Sequence, residues 1–327
     1  MPTHPGRPAH SAEHVVRPLA RFVVPVIGAP TWQATRVPAP FVRDLCGYRD
    51  GRPNTSDSND TQSVNLGHAL FGRMGVPAEA PEPAGIGSLM EELIVKDLAA
   101  RRPDLYIDRS KSASAFSQYE HLAAAATARR ASTVGSELPD QVDAVVEALQ
   151  GNPSLGWIIQ RLEFVKGKME LNTDVLRNLL DNLPSESMLK MDIAVAGASP
   201  PAELRIGLSS KWTLRTDRAQ DCLSQGTKLV SQRRGRMPHF AAITMEPRPA
   251  MLALLADGSG SVDCVYHLDL GSLVEAAHDL DRERRASNGT GWSPLVTLQR
   301  LVRQRRLRDY DALVQEVMLT PAGPGAT

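Results

Sequence analysis

The sequence Ser209-Ser210-Lys211 closes a run in which Leu204, Ile206 and Leu208 alternate with other residues, the period-two pattern of a half-buried strand. Period two puts Ser209 and Lys211 on the face away from those apolar side chains. Upstream, Met191, Ile193 and Val195 alternate in the same way, with Asp192 on the opposite face. Pro200 and Pro201 mark a turn between the two runs. A hairpin of this kind brings Asp192 and Lys211 to one end of a sheet. A carboxylate there can bind Mg²⁺, a hard cation that prefers oxygen ligands and holds substrate phosphate oxygens. A lysine beside it can orient an attacking water or steady charge on a phosphorane-like transition state. The same spacing also suits an aspartate closing a turn and a solvated lysine, since such pairs on neighbouring strands are common.

Four residues beyond Lys211 stands Arg215, followed by Asp217 and Arg218 at the head of a helix predicted to run from Ala219 to Val230. Arginine can grip guanine O6 and N7 bidentately in the major groove, and aspartate can accept from cytosine N4. The competing reading makes Asp217 an N-cap flanked by two solvated arginines.

The elements that must position these residues follow from the rest of the pattern. His239–Thr244 and Val262–His267 read as further strands, and 249–256, 271–284 and 293–307 as helices. Upstream, Ser88 and Glu91 stand at capping-box spacing before Leu89, Met90, Leu93 and Ile94, which marks a helix start. Alanine-rich segments between Phe116 and Leu149, and the stretch Gly151–Leu183, carry helical patterns. The run 54–65 is polar and reads as a loop, and 73–87 is a second loop rich in Pro, Ala and Glu. The fold class is α/β, with a short mixed sheet flanked by helices. Residues 1–40, in which Val23-Val24-Pro25-Val26-Ile27 is too proline-broken for a central strand, form a partly ordered extension. Residues 41–327 form a single domain with its core at about 87–285. His239 and His267 lie in apolar strand runs without a partner at ligand spacing and read as structural.

The 327 residues carry no net charge, so affinity for a polyanion must come from local clusters. Two exist: Arg233, Arg234 and Arg236, and Arg303, Arg305, Arg306 and Arg308. The second equally suits a solvated helix face. Cys46, Cys222 and Cys264 show no CxxC spacing, so neither a zinc module nor a disulfide framework is indicated. No signal peptide or membrane span is visible, and a reducing bacterial cytoplasm is the expected location.

The strings SSKWTLRTDRAQ, RRGRMPH, ITMEP and VDCVYH resemble the NgoMIV-like group of type II restriction endonucleases, which cut within CCGG. The resemblance is dense from about Asp192 to Leu270. It implies a restriction-endonuclease-like core and a variant PD…(D/E)xK active site, with Asp192 binding metal, Ser209 standing where other nucleases carry an acidic residue, and Lys211 as the lysine. It further implies a displaced helix glutamate, best matched by Glu92, with Ser210 joining Asp192 and Glu92 around as many as two Mg²⁺ ions. Arg215, Asp217 and Arg218 become the CCGG readers, and Asp57 and Arg248 contact the flanking pair, so that GCCGGC is the expected site. Two departures stand out. Gln225 replaces a second helix glutamate, and Asp192 precedes Lys211 by only 19 residues, so Asp174 and Asp181 remain rivals for the metal-binding carboxylate.

The resemblance implies a Mg²⁺-dependent endonuclease leaving 5′ overhangs, with double-stranded DNA as substrate and a cognate DNA methyltransferase as functional partner. A palindrome is read most economically by a two-fold dimer, and the resembling enzymes associate further into tetramers. One rival is a sequence-specific DNA-binding protein silenced by Gln225. Another is a structure-selective repair or recombination nuclease, which leaves Arg215, Asp217 and Arg218 unexplained.

Overall fold

The computed structural model describes residues 37–181, 189–198, 202–257 and 260–322. The expected N-terminal extension up to residue 36, with its Val23–Ile27 run, and the Pro200-Pro201 turn lie outside the described residues. In chain order the elements are α1 (Val42–Leu45), β1 (Tyr48–Arg49), β2 (Arg52–Pro53), α2 (Thr61–Met74), α3 (Ile86–Arg101), β3 (Tyr106–Ser112), α4 (His121–Leu149) and α5 (Gly156–Asp181). There follow β4 (Lys190–Ala196), β5 (Leu204–Lys211), α6 (Thr216–Gln232), β6 (His239–Thr244), α7 (Pro249–Ala256), β7 (Cys264–His267), α8 (Leu270–Asn288), α9 (Pro294–Arg303), β8 (Leu307–Asp309) and α10 (Tyr310–Met318).

Six strands form one sheet in the order β3-β4-β5-β6-β7-β8. β3, β4 and β5 pair antiparallel, and β5 through β8 pair parallel, so the sheet is mixed α/β with helices as crossovers. Its central strands are buried almost throughout, from Ile193 to Ala196, Ile206 to Ser210 and Phe240 to Thr244, as expected where helices cover both faces. Buried residues of α1, α2 and α3, such as Leu45, Phe71 and Ile94, belong to the same core as Leu301 and Leu313 near the C-terminal end. The sheet and its packing therefore run on past residue 285, because β8 pairs with β7 and α9 and α10 cover it.

Several helices start where local chemistry demands. Asp60 caps α2 by accepting from the backbone N–H of Gln62 and Ser63, which turns the second half of the expected 54–65 loop into a helix. The capping box proposed for Ser88 and Glu91 is not formed. Helix α3 begins at Ile86 after Gly85 in the left-handed region, without a side-chain cap, and Ser88 Oγ instead accepts from Arg109 Nη2 at 2.6 Å. The helix expected over 293–307 stops at Arg303, since Leu307 is drawn into the sheet. Among the described residues no helix is long and apolar enough to cross a membrane.

Candidate active site and DNA-facing surface

The ladder between β4 and β5 runs from Ala196 and Leu204 to Ile193 and Leu208, while β4 keeps pairing with β3 through Met191 and Lys190. The two central strands therefore part just beyond Ile193, and the Asp192 carboxylate fills the fork. Its Oδ2 accepts from the backbone N–H of Ser210 at 2.7 Å, from Lys211 Nζ at 2.7 Å and from Ser209 Oγ at 3.3 Å. The short spacing in the sequence is thus that of a tight hairpin, and it brings Asp192, Ser209, Ser210 and Lys211 together. Asp174 and Asp181 do not join them: both lie on α5, where Asp174 pairs with Arg177. With three donors on Oδ2, Oδ1 receives no hydrogen bond among the described residues.

Helix α3 lies against β3, β4 and β5, and it sets the second carboxylate. Glu91 is half-buried, and burial together with the negative charge of Asp192 raises its pKa, against the pull of Arg109 and Lys211. Arg109 Nε stands 3.4 Å from Glu91 Oε2. Glu92 is directed to solvent, its side chain 67% exposed, with Arg109 Nη1 3.8 Å away. Glu92, the residue expected at the metal, is thus the more exposed of the two α3 glutamates, and Glu91 is the one that feels the charge of Asp192. The buried line of α3 is Met90, Ile94 and Leu98, and one residue is about 100° of helix rotation, so Glu91 flanks that line while its neighbour turns away.

The DNA-reading candidates stand at the head of α6. Arg215 is the N-cap residue and makes no side-chain cap, and Asp217 lies in the first turn. Arg215, Thr216, Asp217 and Arg218 are all exposed, so Asp217 is not the expected cap and its carboxylate faces outward. The segment joining them to Lys211 is pinned from several sides. Trp212 donates Nε1–H to Asn54 O at 3.1 Å, its own carbonyl accepts from Met245 N at 3.0 Å, and Leu214 N donates to Glu246 Oε2 at 2.8 Å.

Glu246 is fully buried and holds Arg248. Arg248 Nε donates to Glu246 Oε1 at 2.7 Å, Nη2 to Leu214 O at 2.7 Å and to Glu246 Oε2 at 3.1 Å, and Nη1 to Asp57 Oδ2 at 3.0 Å. Arg248 was expected to contact a flanking base pair. Its guanidinium is instead committed to the protein, and it ties the Asp57 loop to the start of α6. Asp57 sits lower than an ordinary carboxylate because it accepts the Asn59 backbone N–H and feels the charges of Arg248 and Arg215. Sequence reasoning missed Glu246, although a glutamate directly after the apolar Phe240–Met245 run is itself a signal of a buried, partnered carboxylate.

A model of the NgoMIV restriction enzyme family matches residues 106–318, a span that contains Asp192, the Ser209–Lys211 strand end and the head of α6. The chain belongs to the NgoMIV restriction enzyme family. Among similar proteins, the type II restriction enzyme NgoMIV of Neisseria gonorrhoeae is 32% identical over 168 residues, 51% of this chain and 53% of that protein. The aligned stretch spans about half the length of that relative. Both α3 glutamates lie before residue 106, outside the span matched by the NgoMIV family, so geometry alone chooses between them.

Type II enzymes of such families generally need a divalent metal, and the donor set fits a hard one. Asp192 and Glu91 hold like charges within reach of each other, and Asp192 keeps Oδ1 unbonded. Among the described residues no three His, Cys, Asp or Glu side chains gather as a ready-made cage. Gln225, on α6, has a buried Oε1 without a hydrogen-bond partner among the described residues, an acceptor at the position where a second helix glutamate was expected.

His239 and His267 serve the fold. His267 is fully buried, burial pulls its pKa down to about 3, and the neutral ring accepts the Asp269 N–H at 3.1 Å. Burial also pulls on His239, but the hydrogen bonds and charge of Asp263 and Cys264 outweigh it and raise it to about 9. His239 lines a cleft of about 610 Å³ with Leu204, Arg236 and Cys264, which lies at the starts of β5, β6 and β7, the opposite end of the strands from Lys211.

Proposed function

We propose that this chain is a type II restriction endonuclease that hydrolyses phosphodiester bonds of double-stranded DNA within a CCGG-centred palindrome, GCCGGC being the expected full site, with 5′ overhangs and Mg²⁺ as cofactor. The observation that carries the reading is the fork between β4 and β5. One carboxylate oxygen, Asp192 Oδ2, gathers the Ser210 amide and the Lys211 ammonium, and four residues on the chain presents Arg215 to solvent.

Asp192, Glu91 and the neighbourhood of Ser210 would hold the metal, which when bound supplies a polarised phosphate oxygen and a more acidic water. Lys211, fixed by Asp192, places a positive charge beside the scissile phosphate and orients the attacking water. Ser209 takes the place of an acidic side chain and contributes a hydrogen bond to Asp192 in place of charge. Arg215, Asp217 and Arg218 read the half site, and Asp57 would contact the flanking pair. Reading and cutting are coupled by the short rigid connection, since a mismatch that displaces the head of α6 also strains Trp212–Leu214 and hence Lys211. A two-fold dimer would place one site on each strand, and a cognate DNA methyltransferase would protect the same sequence.

The test is digestion of fully sequenced plasmid and phage DNA in Mg²⁺ and separately in Mn²⁺, with the product ends sequenced, beside Lys211→Ala. Discrete ends within CCGG palindromes, lost in Lys211→Ala while specific binding persists, are expected. Cutting retained by Lys211→Ala removes the catalytic assignment. The neutral Gln225 favours a second reading, a sequence-specific binder with weakened cleavage. That reading expects binding of a CCGG duplex without nicking in either metal, and cutting restored by Gln225→Glu argues that charge at this position is what cleavage needs.

A further inference from the structure

The two arginine clusters that stand apart in the sequence meet in the fold. Arg236 from the first, and Arg305 and Arg308 from the second, line the cleft of about 610 Å³ at the starts of β5, β6 and β7, where Arg205 and His239 join them. In a chain of zero net charge, only Asp263 and Glu316 among the lining residues oppose those five. Arg205, His239 and Arg308 each have a carboxylate partner: Glu203 at 3.0 Å, Asp263 at 2.9 Å and Glu316 at 2.9 Å. Arg236 and Arg305 are exposed and are in no ion pair among the described residues. Arg205 Nε is buried and has no acceptor among the described residues, an unmet donor of a kind that folded proteins seldom leave. Burial works against a charge on His239, but Asp263 and Cys264 hold its pKa at about 9, so the ring is cationic at neutral pH. Arg305 stands at φ 59°, a left-handed conformation that is uncommon for a long side chain and recurs at functional positions.

We infer that this cleft is a binding site for a small phosphorylated ligand, whose phosphoryl groups are held by Arg236 and Arg305 on a wall that includes Arg205 and Arg308. Guanidinium forks match phosphoryl oxygens two by two, and a doubly charged group takes up the positive surplus that the two unpaired arginines leave. Sites of about 300–1,000 Å³ house small molecules, and this cleft is roomier than a single phosphate fills. Met237, Pro238, Leu319 and Pro321 also line it and offer apolar surface to a ring of the ligand. Duplex DNA is not the occupant that the geometry favours. The DNA-reading candidates stand at the other end of the strands, since β5 spans about 20 Å from Arg205 to Lys211. A duplex, whose major groove alone is about 12 Å wide, does not enter a cleft of this size.

The experiment is isothermal titration calorimetry of the full chain, in EDTA and without DNA, so that neither metal binding nor cleavage enters. ADP, pyrophosphate, inorganic phosphate and citrate are separate titrants, beside Arg236→Gln, Arg305→Gln and the double variant. Both arginines are exposed, so melting temperatures should stay at wild-type values. Saturable binding of ADP or pyrophosphate at one site per chain is expected, weakened about tenfold by each single variant and further by both. Lys211→Ala and Arg215→Ala should leave it unchanged. Tighter binding of ADP than of pyrophosphate makes the ligand a nucleotide, and equal binding makes it a free phosphate anion; either result sustains the inference. Absence of saturable binding by every phosphorylated titrant overturns it, as does binding that survives the double variant or that Lys211→Ala removes instead. Citrate bound as tightly as pyrophosphate also overturns it, since charge alone would then account for the site. Loss of duplex affinity in the double variant, with no binding of ADP or pyrophosphate to the wild type, assigns these arginines to the DNA backbone and overturns it too.

Discussion

Arg248→Ala separates two roles for the same arginine. A base-contacting arginine can be truncated with little effect on folding, whereas the structure makes Arg248 the cation of a buried carboxylate. Its side chain is 16% exposed and that of Glu246 fully buried. Truncation removes Nε and Nη2 from Glu246, leaving each carboxylate oxygen one backbone donor, Arg248 N at 2.9 Å and Leu214 N at 2.8 Å. Leu214 O also loses its donor from Nη2. Leaving a buried charge with no partner costs about 3–5 kcal/mol. Because two backbone N–H groups remain, a loss of about 2–4 kcal/mol is expected, read from guanidinium denaturation as a fall in midpoint with an unchanged slope. The double variant Arg248→Met with Glu246→Gln should lose less than the sum of the single changes, since the uncompensated charge is gone. Selectivity is the second readout. Loosening the tether between Asp57 and the head of α6 should lower the ratio of CCGG cleavage to cleavage at single-mismatch sites. Stability within about 0.5 kcal/mol of wild type, accompanied by selective loss of binding at one flanking base pair, would refute the strut and restore Arg248 as a reader.

Glu91→Gln should raise the Mg²⁺ concentration needed for half-maximal cleavage, by about tenfold or more, while Glu92→Gln leaves it near wild type; equal effects of the two would return the metal assignment on α3 to the open. Arg215→Ala or Arg218→Ala is expected to cost about 1–3 kcal/mol of specific binding, seen as a narrowing gap between CCGG and unrelated duplexes in gel-shift titrations, with uniform weakening on both arguing for phosphate contact instead. His239 gives a pH signature. Its folded pKa of about 9 lies above the ordinary 6.5, so the stability it contributes is fully present below about pH 6.5 and lost as pH rises through 9, on the order of 3 kcal/mol. Denaturation at pH 6 and pH 9.5 should show that fall in wild type and a smaller one in His239→Gln.

The site was legible in the sequence where local periodicity governs. The strands carrying Asp192 and Lys211 announce themselves because alternation fixes which side chains share a face, while the expected bounds of β6 and α7 match because each is a short apolar run that starts at a proline, Pro238 just before β6 and Pro249 in the first turn of α7. Strand β3 was missed: Tyr-Ile-Asp-Arg-Ser-Lys-Ser lies at the sheet edge, partly exposed throughout with Ser110 at positive φ, so no apolar alternation marks it. Helix α2 hid behind a polar first turn whose meaning depends on Asp60 capping it.

Residue type, spacing and family resemblance, all carried by the sequence, determined that a carboxylate, a lysine and an arginine-rich helix head would lie close along the chain. Only the tertiary structure decided which α3 glutamate faces Asp192, and that Arg248 is spent on Glu246, Leu214 and Asp57. The physical reason is that both answers depend on a rotation and on a partner. The apolar arc of α3 is wide enough to allow either glutamate inward until Met90, Ile94 and Leu98 settle against the sheet. Arg248 meets Asp57 across a sequence separation of 191 residues, a contact that no local pattern encodes.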